Sequence, residues 1–233
     1  MSKPSFFVCG LVRDVGRKFP LNHRIISRWL DENSSKTHWF FYENDSRDNT
    51  VQLLQRCAQD NPNFQFETEV LGARKWGPIV NKDRARYMCR CRNKYLQRLV
   101  DLGHDFDYML VVDMDLSRVD AQPISIAMTY DADMVGANGR VNHRNKDSKY
   151  YDAWALQGYD RGKANELTEQ SPRAKVTSCF GGMGLYKVSS VEGHWYDPQT
   201  DNIQYADHGS LHESMRNAGH NDMWICPPWI VWL

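Results

Sequence analysis

The sequence predicts an α/β fold in one domain over residues 1–233, with a central, mostly parallel sheet flanked by helices in a Rossmann-like arrangement. Short apolar runs alternate with longer amphipathic ones, which is typical of strands alternating with helices. No internal repeat or linker divides the chain, and 233 residues are enough to bury one core. Strand–helix alternation implies right-handed crossovers, so we expect ligand groups at the carboxyl ends of the strands.

The elements follow one another in a regular order along the first half of the chain. Apolar runs predict strands at 6–12, 37–42, 64–71, Tyr108–Val112 and 134–137. Helical spacing predicts helices at 21–30, 51–57 and 82–100, and a late helix at 211–218 closed by Gly219. Residues 138–175 show no clear period, order returns at 176–188, and residues 224–233 form an apolar segment interrupted by proline.

Composition excludes several classes of protein. The chain carries 29 basic and 29 acidic residues, so nothing indicates a protein that coats nucleic acid or anionic lipid. No apolar run approaches the ~20 residues that span a bilayer, and the start does not resemble a signal peptide. We therefore expect a soluble, cytoplasmic protein without a transmembrane segment. The six cysteines are scattered and predict neither a zinc site nor a disulfide framework.

The most informative passage is an apolar strand that leads directly into Asp113-Met114-Asp115. On an extended backbone, residues two apart point the same way, so both carboxylates face one spot. Such a pair suits a hard divalent cation, Mg²⁺ or Mn²⁺, which also binds diphosphate oxygens. The alternative is a surface turn, but two carboxylates at the mouth of a core strand repel each other unless a cation compensates.

A second acidic turn follows the strand at 37–42 and runs from Glu43 to Thr50. It resembles the Asp-Asp-Gly-Ser-x-Asp-Gly-Thr segment of GT-A glycosyltransferases, with Glu43 at the first acidic position and Asn44 at the second. The resemblance implies that Glu43 binds the base or ribose of a nucleotide-sugar donor. A structural role is also open, since Asp48 can cap the following helix.

Two further segments resemble regions of the same family. Arg92-Asn93, in an arginine-rich helix that also holds Arg84, is similar to the Ala-Arg-Asn-x-Gly region that precedes Asp-x-Asp, and arginines suit a diphosphate. Gly181-Gly182 resembles the glycine pair on the acceptor side, where glycine lets backbone approach a ligand. The alternatives are a solvated basic helix face and a bulged pair of strands.

Asp207 and His208 resemble the Glu-Asp pair that heads a late helix in inverting GT-A enzymes. His208 stands where those enzymes have their general base, and it could act as a base itself. It could equally be a third metal ligand, which would leave Asp207 as the base. Helix capping by Asp207 with a surface His208 is the structural alternative.

Together these resemblances imply a GT-A enzyme that uses Mn²⁺ or Mg²⁺ to move a sugar from a UDP- or GDP-linked donor to a glycan or glycoconjugate hydroxyl. Val12 and Arg13 would help to hold the nucleoside, and Asp113 would hold the cation on the diphosphate. The stretch 150–156, which contains Trp154, is similar to one in the fungal capsule-type α-1,3-mannosyltransferases. A nucleotidyltransferase fits less well because residues 10–17 have too few glycines for a phosphate loop. A carbohydrate-binding module would have no need for acids after two separate strands.

Overall fold

The computed structural model describes residues 2–74, 81–142, 148–197 and 207–233. The strands of this part of the chain are β1 (Ser5–Val12), β2 (Lys36–Asn44), β3 (Phe64–Glu69), β4 (Tyr108–Val112), β5 (Met134–Val141), β6 (Lys149–Tyr150), β7 (Ala174–Lys175), β8 (Met183–Lys187) and β9 (Met223–Trp232). The helices are α1 (Phe19–Asn33), α2 (Thr50–Asp60), α3 (Lys82–Asp101), α4 (Ile124–Met128), α5 (Arg161–Glu166), α6 (Val188–Val191) and α7 (Asp207–Asn217).

The described strands form one sheet in the order β3-β2-β1-β4-β8-β5-β9-β7, with β6 paired to β5. β1 lies between β2 and β4 and runs parallel to both. β8 is antiparallel to its neighbours β4 and β5, whereas β5 and β9 are parallel. The prediction of a mostly parallel sheet flanked by helices is therefore confirmed.

Helices cover both faces of the sheet because successive side chains of each strand point to opposite sides. In β1, Phe6 packs into one core cluster together with Trp29 of α1. Its neighbour Phe7 packs into a second cluster with Tyr95 of α3 and Met215 of α7. This alternation places α1 on one face of the sheet and α3 and α7 on the other. The side chains of β1 thus pack against helices on both faces.

The sequence predicted the strands and helices of the first half of the chain more accurately than those of the second half. The strand at Tyr108–Val112 has the predicted bounds. The apolar, proline-containing end of the chain is the long strand β9, whose register against β5 shifts after Ala137. The stretch 138–175, where no period is visible, contains β6, α5 and β7 in its described parts, because these elements are too short to give one.

None of the helices in the described part of the chain combines the length and the apolar composition that crossing a bilayer requires.

Candidate active site

A cleft of about 270 Å³ opens where β1, β2 and β4 end. These strands are parallel neighbours, so their carboxyl ends meet at one edge of the sheet, as in other open α/β sheets that bind ligands there. Most of the residues singled out from the sequence line this cleft: Val12, Arg13, Arg84, Arg92, Asp113, Asp115, Asp207 and His208. The structure thus brings together residues that lie up to 196 positions apart in the sequence.

The two aspartates after β4 sit at the cleft in different environments. Asp113 is partly buried, and its backbone N–H donates to Gly182 O at 2.9 Å, so the residue just before β8 holds it in place. Asp115 is exposed to the cleft. The pKa of the Asp113 carboxyl is raised well above its ordinary value, first by burial and second by the charge of Asp115. Ionising both carboxylates at once is therefore costly in the free protein, where Asp113 tends to keep its proton, and a cation between the two groups would take the place of that proton.

A three-residue metal site is not assembled. Among the described residues, no group of three or more His, Cys, Asp and Glu side chains is arranged to hold a metal ion. The expectation that His208 completes the set with Asp113 and Asp115 is corrected on this point. The two carboxylates still fit Mn²⁺ or Mg²⁺, since such ions take part of their ligands from substrate phosphates and water.

His208 is buried rather than exposed, with 1% of its surface accessible. Its ring stacks on Phe180 at a centroid distance of 3.8 Å, and its Nδ1 lies 3.4 Å from the Tyr196 hydroxyl. Burial, followed by the positive charge of Arg92, lowers the pKa of His208 well below its ordinary value. The imidazole is therefore neutral and a weak base. Its Nε2 is buried without a hydrogen-bond partner among the described residues, which leaves that atom available to a ligand.

Arg92 and Asp207 form a buried ion pair, which changes the roles expected of both. The guanidinium Nε of Arg92 donates to Asp207 Oδ2. Burial opposes the charge on Arg92, but Asp207, together with Tyr95, Tyr196 and Asp113, outweighs it and holds the arginine pKa well above its ordinary value. Asp207 is thus engaged by an arginine rather than free to act as a base, and part of the Arg92 fork is used inside the protein rather than on a phosphate.

Glu43 does not line the cleft, contrary to the role expected from the sequence. The side chain is 1% exposed, its Oε1 accepts from Ser46 N–H at 2.8 Å, and its Oε2 accepts from the Thr68 hydroxyl. Both oxygens therefore hold the end of β2 together. The next residue, Asn44, lines the cleft instead.

The residue after Asn44 is Asp45, which has a left-handed backbone (φ 54°). Its carboxylate accepts from the backbone N–H groups of Leu71, Gly72 and Ala73 at 2.9–3.0 Å. Burial works against the charged form, but these bonds and one from Asn44 outweigh it and lower the pKa of Asp45. Arg13 donates to Ala73 O at 3.0 Å, so the turn that Asp45 organises also orients an arginine of the cleft.

Asn93 is not part of the cleft lining, so the described structure gives no support to its expected donor contact. Its amide exchanges two hydrogen bonds of 2.9 Å with the backbone of Tyr196, so it ties α3 to the segment before α7. Asp48, proposed as a cap, accepts from Thr50 N–H at 2.9 Å and also binds Gly16 N–H, so it joins the start of α2 to the β1–α1 loop.

Gly181 and Gly182 also serve packing rather than ligand contact. A Cβ on Gly181 would lie 2.2 Å from Ala137 O, and one on Gly182 would lie 2.9 Å from the Leu116 side chain. Both have positive φ, 68° and 89°, which glycine adopts without strain. Neither lines the cleft, whereas the preceding residue, Phe180, does.

The structure adds a carboxylate that sequence reasoning did not assign to the site. Asp152 lines the cleft with Tyr151 and Trp154, and its backbone is left-handed (φ 63°). Burial, followed by the charge of Asp207, raises the pKa of Asp152 to about 7. The guanidinium of Arg84 lies over the Trp154 ring, 5.9 Å from its centroid. The aromatic and acidic residues of 150–156 were the available signal, but their sequence shows neither the burial nor the neighbouring charge.

Neither a family model nor a curated protein matches the chain. Solved structures do match it. They include S. aureus TarS 1-349 in complex with UDP, at TM-score 0.57 and 11% identity, over 98% of this chain and 60% of that one. GalNAc-T7 with UDP, GalNAc and Mn²⁺ matches at TM-score 0.58 and 10% identity, over 99% and 44%. The mannosyltransferase PcManGT from Pyrobaculum calidifontis, in complex with GDP-Man and Mn²⁺, matches at TM-score 0.52 and 11% identity, over 100% and 57%.

This chain spans 60% or less of the TarS chains that it matches. At identities of 9–12% the likeness concerns the fold. The sheet order, the covering helices and the cleft at the strand ends agree with that likeness. The chain therefore has the GT-A fold, the Rossmann-like α/β architecture of these glycosyltransferase neighbours.

Proposed function

We propose that this chain is a glycosyltransferase that moves a sugar from a UDP- or GDP-linked donor to a hydroxyl group of a glycan or glycoconjugate, with Mn²⁺ or Mg²⁺ at the site. The observation that carries the proposal is the pair Asp113 and Asp115 at the end of β4, inside the cleft. Ionising both carboxylates of this pair is costly in the free protein, and a divalent cation with a diphosphate is a ligand that offsets this cost.

The remaining lining of the cleft suits the other parts of such a donor. Val12, Arg13 and Asn44 lie where β1 and β2 end, which is the place for the nucleoside in a sheet of this kind. Arg84 adds a positive charge for the diphosphate. When bound at the aspartates, the cation would offset the negative charge that develops on the leaving nucleoside diphosphate.

The acceptor side requires aromatic surface and a group that takes a proton. Tyr151 and Trp154 provide ring faces, which suit the apolar faces of sugars. In an inverting transfer the hydroxyl proton must go to a base in the same cleft. Asp152 is better suited than Asp207, which Arg92 engages, and than His208, whose pKa is lowered well below neutrality.

Two observations bear on the identity of the donor, one from the matched structures and one from the sequence. The matched structures hold UDP, UDP-GlcNAc, or GDP-Man with Mn²⁺, so a nucleotide-sugar donor is consistent with the fold. The stretch 150–156 is similar to one in the fungal capsule-type α-1,3-mannosyltransferases, which extends the proposal to mannosyl transfer from GDP-mannose.

A nucleotidyltransferase remains the rival enzyme, and a non-catalytic carbohydrate-binding module is the rival from another class. The β1–α1 connection does not favour the first, because Gly10 lies within β1 and is required by packing: a Cβ there would sit 2.2 Å from Val112 O. A carbohydrate-binding module would have no need for the two neighbouring carboxylates at the end of β4.

Thermal-shift measurements with UDP or GDP, with and without Mn²⁺, together with assays of nucleotide-sugar hydrolysis, distinguish the glycosyltransferase from the nucleotidyltransferase and the carbohydrate-binding module. We expect stabilisation that requires nucleotide and Mn²⁺ together, release of nucleoside diphosphate from UDP- or GDP-sugars, and loss of both in Asp115→Asn. Asp60→Asn is the control, since Asp60 is an exposed aspartate at the end of α2. Equal shifts in excess chelator, or unchanged binding in Asp115→Asn, would contradict the proposal.

A further inference from the structure

The turn that carries Asp115 is held from one side by side chains of α1 and its approach. Asn22, which is 1% exposed, donates through Nδ2 to Met114 O at 3.2 Å and to Leu116 O at 2.8 Å. Lys18 donates through Nζ to Asp115 O. Three consecutive carbonyl groups of the acidic turn are thus bound by two side chains about 95 residues earlier in the chain.

The flanks of this turn are anchored elsewhere. Asp113 N–H donates to Gly182 O at 2.9 Å, and Ser117 N–H donates to Trp232 O at 2.7 Å. The residue before β8 and the end of β9 therefore fix the two ends of the turn, while Asn22 and Lys18 bind its middle. Asp115 lies in that middle, and its own carboxylate is exposed.

Burial makes the hydrogen bonds of Asn22 difficult to replace. Met114 and Leu116, whose carbonyls it binds, are 0% and 1% exposed, so water does not readily replace a lost donor. A nearly buried amide is also costly unless both of its hydrogens are used. Asn22 is accordingly placed to hold one backbone conformation of the turn.

We propose that Asn22 and Lys18 are positioning residues that hold the Asp115 carboxylate beside Asp113, so that both reach the same cation. This inference rests on the proposed function. When both carboxylates are ionised they repel each other, and a turn whose middle is not held would relax by moving Asp115 away. Holding the backbone keeps the pair assembled before the cation arrives, and outer partners of metal ligands act in this way.

Four variants test the inference. Asn22→Leu keeps the size of the side chain and removes both donors, and Lys18→Met keeps the stem and removes the ammonium. The matched control for the first is Asn138→Leu, because Asn138 is 0% exposed and donates to Pro227 O at 3.1 Å outside the cleft lining. The matched control for the second is Lys187→Met, because Lys187 donates to Asp131 O at 2.6 Å.

The measurement is a Mn²⁺ titration in the presence of saturating UDP or GDP, followed by thermal shift and by the electron paramagnetic resonance signal of free Mn²⁺. We expect the Mn²⁺ concentration at half-saturation to rise about tenfold in Asn22→Leu, within the range seen for outer partners of ligands, and to rise by a smaller factor in Lys18→Met. The two controls should keep the wild-type value, even where their melting temperatures fall.

Wild-type Mn²⁺ affinity in both Asn22→Leu and Lys18→Met would overturn the inference, as would an equal loss of affinity in the controls. If Asn22→Leu does not fold, Lys18→Met against Lys187→Met decides the question. Absence of Mn²⁺-dependent nucleotide binding in the wild-type protein would overturn the proposed function itself, together with this inference. The two failures are therefore distinguishable.

Discussion

The guanidinium of Arg92 donates to the carboxylate of Asp207 inside the protein, where the two side chains are 5% and 6% exposed. This pair joins α3 to α7 across a separation of 115 residues and lies at the inner wall of the cleft. Breaking a buried pair by removing one partner leaves an uncompensated charge.

We expect Arg92→Met to lower the free energy of unfolding by about 3 kcal/mol, because Asp207 would remain buried without its partner. Urea denaturation monitored by circular dichroism measures the change. Lys94→Met is the control on the same helix, since the ion pairs of Lys94 with Glu67 and Glu69 are partly exposed and should contribute under about 1 kcal/mol. Equal losses in the two variants would show that the Arg92 pair carries no special stability.

The two raised carboxyl pKa values predict a pH dependence of stability. Asp113 and Asp152 both have raised pKa values in the folded chain, Asp152 to about 7, with burial as the first cause. The folded state then keeps protons that the unfolded state releases, so stability is greatest below about pH 4 for these groups and falls as the pH rises through their folded pKa values. In chelator, the melting temperature should fall between about pH 5 and pH 8, and Asp113→Asn should reduce that fall.

Cation binding should counteract the loss of stability that we expect as the pH rises. A cation competes with protons for the Asp113 carboxylate, so Mn²⁺ with UDP or GDP should stabilise the protein more at about pH 8 than at about pH 5. Differential scanning calorimetry at the two pH values measures this. A larger stabilisation at the lower pH would contradict the placement of the cation at Asp113.

Asp152 is expected to contribute to transfer more than to donor binding. Asp152→Asn keeps the shape and removes the titrating group, so we expect transfer to fall about a hundredfold or more while Mn²⁺-dependent UDP or GDP binding is retained. The pH profile of kcat/KM, which reports the pKa values of the free enzyme, supplies a second readout: the wild-type profile should rise through about pH 7, where Asp152 loses its proton, and this rise should be absent from the residual activity of the variant. A profile that is unchanged in Asp152→Asn would assign the proton to another group.

Gly181 and Gly72 have the same backbone requirement, but we expect their substitution by alanine to lower stability by different amounts. Gly181 and Gly72 both have positive φ, but a Cβ on Gly181 meets Ala137 O at 2.2 Å, whereas one on Gly72 meets nothing within 4 Å. Gly72→Ala should cost about 1 kcal/mol of backbone strain. Gly181→Ala should cost more, because the backbone of β5 has to move as well, and chemical denaturation of both variants checks the order.

The sequence was sufficient for features that depend on near neighbours. The alternation of strands and helices and the bounds of β4 follow from local periodicity, and so does the position of Asp113 and Asp115 at the end of an apolar strand. Parallel pairing of β1 with β2 and β4 then places the cleft at their carboxyl ends. For these features, spacing along the chain and position in space are nearly equivalent.

The tertiary structure decided what each polar side chain does, because a partner far away in the chain determines it. Arg92 meets Asp207, Asn93 meets the backbone of Tyr196, and Asn22 meets the acidic turn, across separations of about 92 to 115 residues. The near-neutral pKa of Asp152 also depends on burial and on Asp207. Residue type sets which bonds a side chain can make, whereas packing of distant elements sets which of them it makes.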